Sequence, residues 1–182
     1  MGVNAESAMT HTRALVCLLA ISACAPQPTI GPAPDQRAAT AARQVIAIAD
    51  DYFASWRESF PEVNTTSGFS GARHDRLSDN SAAGERAWQA KEDRWLAQMR
   101  GVDSAALIGR PEWVTYGLLR EELEASTGMR ACNFRVWNVS PMIGMLSGYA
   151  PLAQQQPVGT EELRTQALTR WRAFPHYVDI EI

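Results

Sequence analysis

Apolar residues recur at spacings of three and four along most of this chain, a period that predicts helices with one buried face. Val45, Ala49, Tyr52, Phe53, Trp56 and Phe60 give such a face over 38–60, and Pro61 ends it. A polar stretch from Glu62 to Gly84 follows, long enough for a connection that it is functional, packed by its own side chains, or mobile. Asp79, Asn80 and Ser81 all offer caps to the next helix, which sets Trp88, Trp95 and Met99 on one face and stops at Gly101. A capped turn starts at Asp103. Pro111 opens a helix with Trp113, Tyr116, Leu119 and Leu123 inward, and Gly128 closes it.

The period then changes. In "ACNFRVWNVS", Cys132, Phe134 and Val136 alternate with Asn133, Arg135 and Trp137, which predicts a short extended segment near 131–139. A compact helix is expected from Pro141 to Tyr149, and Pro151 and Pro157 bracket a glutamine-rich loop. Thr160, Glu161 and Glu162 open a last helix with Leu163, Ala167, Trp171 and Phe174 inward and Pro175 as its break. The fold class is therefore mainly α, a helical array with long loops. The closing "HYVDIEI" is apolar and has no cap or polar tail, so the pattern predicts truncation and an incomplete part of a larger helical fold.

Composition adds limits. The 182 residues carry a net charge of −3, with 17 Lys plus Arg scattered among 20 Asp plus Glu, so no basic footprint for nucleic acid is present. At the N-terminus, Arg13 precedes an apolar run from Ala14 to Ile21, well short of the about 20 residues that span a bilayer as a helix. The run reads as a secretory signal. Ile21-Ser22-Ala23-Cys24 resembles the lipobox of bacterial lipoproteins, in which the cysteine thiol takes a diacylglycerol; the competing reading is an ordinary signal peptide with a chance cysteine. Met9 offers an alternative start to Met1.

On this reading residues 1–23 are the signal, 24–37 a proline-rich tether expected to be stiff and extended, and 38–182 the helical domain. Ala25 after the cysteine implies the outer membrane, with the domain held by its lipid and facing the periplasm. Cys132 is then the one cysteine left free. Burial is the favoured expectation for it, pairing with a thiol outside this sequence the other.

Candidate chemistry gathers in "GFSGARHDRLSDNS", residues 68–81, with Arg73, His74, Asp75, Arg76 and Asp79. A nucleophile needs a base oriented by a third group, and no nucleophile-elbow glycine pattern surrounds the serines, so no catalytic residue is assigned. The favoured reading is positional: Asp79 and Ser81 cap the next helix while Arg73 and Arg76 pair with carboxylates across the fold. The alternative is that these five residues line a substrate cleft. Other features read as structure: most of the six tryptophans fall on apolar helical faces, "REELE" is a solvated face, and Gly144 and Gly148 allow close helix packing.

The order of "FPEVNTTSG", "RHDRLSDNS", "GVDSAALIGRPEWVTYGLLREELE", "WNVSPMIGMLSGYAPLAQQQPVGTEE" and "RWRAFPHYVDIEI" resembles the N-terminal region of the bacterial family called domain of unknown function 885, over about residues 40–182. The resemblance implies a mainly helical, secreted lipoprotein, similar in outline to zinc-dependent metallopeptidases and carboxypeptidases. The family's metal site looks like a His-Glu pair followed by Pro-Gly-His, downstream of this region. His11, His74 and His176 are the only histidines here, and none is followed by Glu. A zinc hydrolase needs about three protein ligands and an open position, so no metal ligand of the family carries over to this chain. Zinc, and hydrolysis of a peptide or related amide, are expected of the complete protein. A non-catalytic envelope binding or scaffold lipoprotein is the competing class.

Overall fold

The computed structural model describes residues 31, 33–133 and 148–181. The chain divides into Met1–Ala33, almost all of it outside the described residues, and Pro34–Ile182, which holds every element below. The described residues are all-helical: α1 (Pro34–Ser59), α2 (Pro61–Thr66), α3 (Ala82–Arg100), α4 (Glu112–Met129), α5 (Tyr149–Gln155) and α6 (Glu161–Glu181), with short 3₁₀ turns at Ser104–Leu107 and Arg130–Cys132. None of the described helices is long and apolar enough to cross a membrane.

The core lies where α1, α3, α4 and the first 3₁₀ turn meet. Val45, Trp95, Met99, Leu107 and Leu123 are fully excluded from solvent there. Burying a side chain of the Val, Leu or Met size stabilises by about 1.5–3 kcal/mol. Ala41 and Ala42 are buried beside them on α1, where small side chains let the neighbouring helices approach. Trp88, Trp95 and Tyr52 stack edge-on or tilted, with ring centroids 5.2–6.1 Å apart. Burial, with Glu122 and Glu92 adding to it, pushes the Tyr52 phenol up to about 12.

Glu92 is buried in this aromatic layer and is fully engaged. Trp88 Nε1 and Ser126 Oγ donate to its Oε1 at 2.8 and 2.6 Å, and Arg130 Nη2 donates to Oε2 at 2.8 Å. That node ties α3 to α4. On the opposite side of α4, Val114, Leu118 and Met129 are 61%, 65% and 48% exposed.

Several boundaries differ from the pattern's expectation. α1 starts at Pro34, so residues 34–37 are helical and not an extended spacer; proline at a first helical position gives up no hydrogen bond. The polar stretch after Pro61 contains α2, leaving a loop at 67–81. Trp113 is 43% exposed, stacked on Tyr116 beside the buried stripe. Gly128 does not close α4. The helix runs on through Met129 into the 3₁₀ turn because Arg130 reaches back to Glu92 and Asp93, and the left-handed Asn133 (φ 45°) makes the stop.

Residues 131 and 132 of the expected extended segment lie in that turn, and 134–139 fall outside the described residues, as do Trp137, Gly144 and the expected helix as far as 147. Cys132 is exposed, not buried: it ends a 3₁₀ turn on the surface after α4. Pro151 lies inside α5, so the glutamine-rich segment is largely helical. Pro175 sits within α6 without ending it. An interior proline costs about 3 kcal/mol, and here packing on both sides of it offsets that, with Tyr149 against Phe174 (4.8 Å) and Tyr177 (5.4 Å).

Candidate functional site

The loop from Ser67 to Ser81 leaves α2 through two left-handed glycines, Gly68 (φ 66°) and Gly71 (φ 69°), a conformation that side chains disfavour. Past that bend, residues 73–76 wrap around one buried cation. Arg170 of α6 is fully buried, and its guanidinium donates to four neutral oxygens: Arg73 O (3.0 Å), Arg76 O (2.8 Å), Thr65 Oγ1 (3.0 Å) and Gln156 Oε1 (2.8 Å). No carboxylate touches it among the described residues, and burial draws its pKa below the usual arginine value.

His74 is held on three sides. Its N–H donates to Gln166 Oε1 (3.2 Å), its carbonyl accepts from Gln156 Nε2 (3.3 Å), and its Nδ1 lies 2.9 Å from Thr65 Oγ1. Burial first, then the Arg170 charge, holds its pKa below the ordinary histidine value. Arg73 pairs with its near neighbour Asp75 (2.7 Å), not across the fold, and that bond lowers the Asp75 pKa. Arg76 does pair across the fold, with Glu58 of α1 (2.7 Å), whose pKa it lowers.

Further along, Glu62 of α2 accepts from Ser78 N and Ser78 Oγ, both at 2.6 Å. Ser81 is the cap of α3: its Oγ accepts from Gly84 N at 3.0 Å. Asp79 accepts from Ser81 N (3.0 Å), so it braces the cap and is not the cap itself; hydrogen bonding to the Ser81 side chain first, then to its N–H, lowers its pKa. A Cβ on Gly84 would run into the Asp79 carbonyl, which leaves no room there for any other residue without a shift.

This loop walls a cleft of about 640 Å³ between the end of α1, the start of α3 and Tyr177 of α6, with Phe60 and Trp88 on its apolar side. Arg76 and Asp79 line it. Arg73 and Arg76 line a smaller pocket of about 330 Å³. His74 and Asp75 line neither; they face the Arg170 network and Arg73 respectively. Cys24, the lipidation candidate, lies outside the described residues, as does His11, and His176 is exposed on α6.

Among the described residues no group of three His, Cys, Asp or Glu side chains is arranged to hold a metal ion. These residues do not fit zinc. Arg170 itself escaped the sequence reading. The signal was available: it stands at three after Ala167 and four before Phe174, a charged residue on the inward face of its helix.

Residues 61–182, from α2 through α6, match the model of a family described as "Bacterial protein of unknown function (DUF885)". Neither a curated protein nor a solved structure matches the chain. The loop clasped by Arg170, the cleft wall it forms and all but the first helix therefore fall within the matched region, and the chain belongs to the DUF885 family.

Proposed function

We propose that this chain is an envelope lipoprotein, anchored through Cys24 to the outer membrane and facing the periplasm, whose helical domain binds a peptide or related amide in the cleft walled by residues 76–80. Hydrolysis by metal-activated water, with zinc as the metal, belongs on this reading to the complete family protein, and this chain alone is expected to be inactive. The observation that carries it is the bracing of the loop: from His74 to Ser81 it is tied to α1, α2, α3 and α6 by side-chain bonds. A wall fixed this way presents a ready-made surface and loses little entropy when a ligand binds.

The test is titration of the full chain, in detergent, with the blocked dipeptide N-acetyl-Ala-Ala-amide, read by tryptophan fluorescence, since Trp88 lines the cleft. Saturable binding is expected, and Ala87→Trp, which fills the cleft, should abolish it without changing the melting curve. Binding that Ala87→Trp leaves intact would sink the reading. The anchor is tested separately: protein recovered from membranes should carry a diacylglyceryl mass that Cys24→Ser removes.

A second reading, a non-catalytic binding or scaffold lipoprotein, draws on the outward apolar stripe of α4 at Val114, Leu118 and Met129. The two readings part on whether the complete family protein cleaves an amide, since this chain alone is expected to be inactive on either.

A further inference from the structure

Behind the Arg76–Glu58 pair, the smaller pocket of about 330 Å³ is lined by three arginines, Arg57, Arg73 and Arg76, with Glu58 and Asn64. Glu58 and Arg76 line the larger cleft as well, so one ion pair forms the wall between the two spaces. Two of the three cations are spoken for: Arg73 by Asp75 and Arg76 by Glu58. Arg57 has no carboxylate partner among the described residues.

Arg57 is nonetheless rigidly placed. Its Nε donates to Asn64 Oδ1 (3.1 Å), its Nη2 donates to Ser70 O (2.7 Å), and its guanidinium lies 5.5 Å from the Phe69 ring centroid and 6.0 Å from that of Phe53. Asn64 is buried and also donates back to the Arg57 carbonyl, so the arginine is clamped from both ends. Its Nη1 makes no hydrogen bond among the described residues.

We infer that this pocket is a carboxylate-binding site, in which Arg57, flanked by Arg73 and Arg76, receives the free carboxylate of a ligand lying in the neighbouring cleft. Three guanidinium groups against Glu58 and Asp75 leave one positive charge in surplus, which matches a singly charged oxyanion and falls short of a phosphate dianion. The planar fork of arginine suits a carboxylate, and such charge-assisted bonds are about twice as strong as neutral ones. A pre-held arginine spends little side-chain entropy in making them. The inference rests on the cleft reading above and adds to it a preference: of two otherwise identical peptide-like ligands, the one ending in a free acid binds better.

The experiment compares, on the full chain, N-acetyl-Ala-Ala with its free carboxylate, the same compound as its amide, and glycerophosphoglycerol as a soluble phosphodiester. The acid should bind at least tenfold more tightly than the amide. Arg57→Gln should bring acid and amide to within about twofold while leaving amide affinity unchanged, and Arg57→Lys should retain part of the preference. Equal affinity of acid and amide for the unaltered protein would overturn the carboxylate site and leave the cleft standing. No binding of either compound would remove the cleft reading and this inference together. A phosphodiester bound more tightly than the acid would show the ligand class to be wrong. Should Arg57→Gln lose its cooperative melt, making Arg57 a structural staple for the two phenylalanines, Arg73→Gln supplies the second measurement: an undiminished acid preference in that exposed-site variant would also count against the site.

Discussion

At His74 the charges decide. Thr65 Oγ1 accepts from Arg170 Nη1, and its one proton has two acceptors within reach, Pro61 O at 3.3 Å and His74 Nδ1 at 2.9 Å, so this contact is compatible with either tautomer of the neutral ring. Adding a proton to the ring would place a second cation beside Arg170 in a half-buried site. The folded-state pKa of His74 is accordingly below the ordinary histidine value of 6.5. The folded protein therefore takes up this proton less readily than the unfolded chain does. Stability is fully present above 6.5 and is lost as pH falls from there through the lowered folded value. Asp75, Asp79 and Glu58 have lowered values too, but their contributions are lost only in the more acid window below the ordinary carboxyl values of 3.8, 3.8 and 4.5. The urea midpoint should thus drop between about pH 7.5 and about pH 5, and His74→Gln should remove most of that drop. A decline of the same size in the variant would mean that another group titrates there.

Among the elements, α3 offers the cleanest local test. Ser81 holds Gly84 N, and loss of such a cap costs about 1 kcal/mol. Ser81→Ala should lower the denaturation free energy by about that amount, while Gly84→Ala, which sets a methyl against the Asp79 carbonyl, should cost more. Cap chemistry of this kind is legible without a structure: Ser81, Gly101, Asp103 and Pro111 all mark real boundaries because their effects act within one turn. Gly128 and Pro175 mislead for the opposite reason, since the pairing of Arg130 with Glu92 and Asp93 of α3, and the packing of Phe174 and Tyr177 on Tyr149 of α5, depend on other helices and override the local preference. The site divides along the same line. Arg76 and Asp79 stand out in the chain as charges in a long polar loop, whereas Arg170, Gln156 and Glu62 acquire their roles only when distant segments meet.

Across the whole domain, Arg170 joins what the sequence separates. Replacing it by methionine keeps much of the volume but strands four oxygens, those of the buried Thr65 and Gln156 side chains and the part-buried carbonyls of Arg73 and Arg76. Arg170→Met should cost about 3 kcal/mol or more, and Arg170→Lys should recover less than half, since an ammonium cannot copy a planar fork. Limited proteolysis should then cut first within residues 67–81; cuts elsewhere, with the loop still protected, would contradict the clasp. The same bond fixes an order of events at birth. Arg170 emerges from the ribosome 97 residues after the Arg73 carbonyl it captures, whereas every side chain of the main core has emerged by Leu123. A nascent chain can therefore assemble its three-helix centre while the loop at residues 73–76 still lacks its clasp, and until translation reaches α6 that loop is the part a passing protease or chaperone would find.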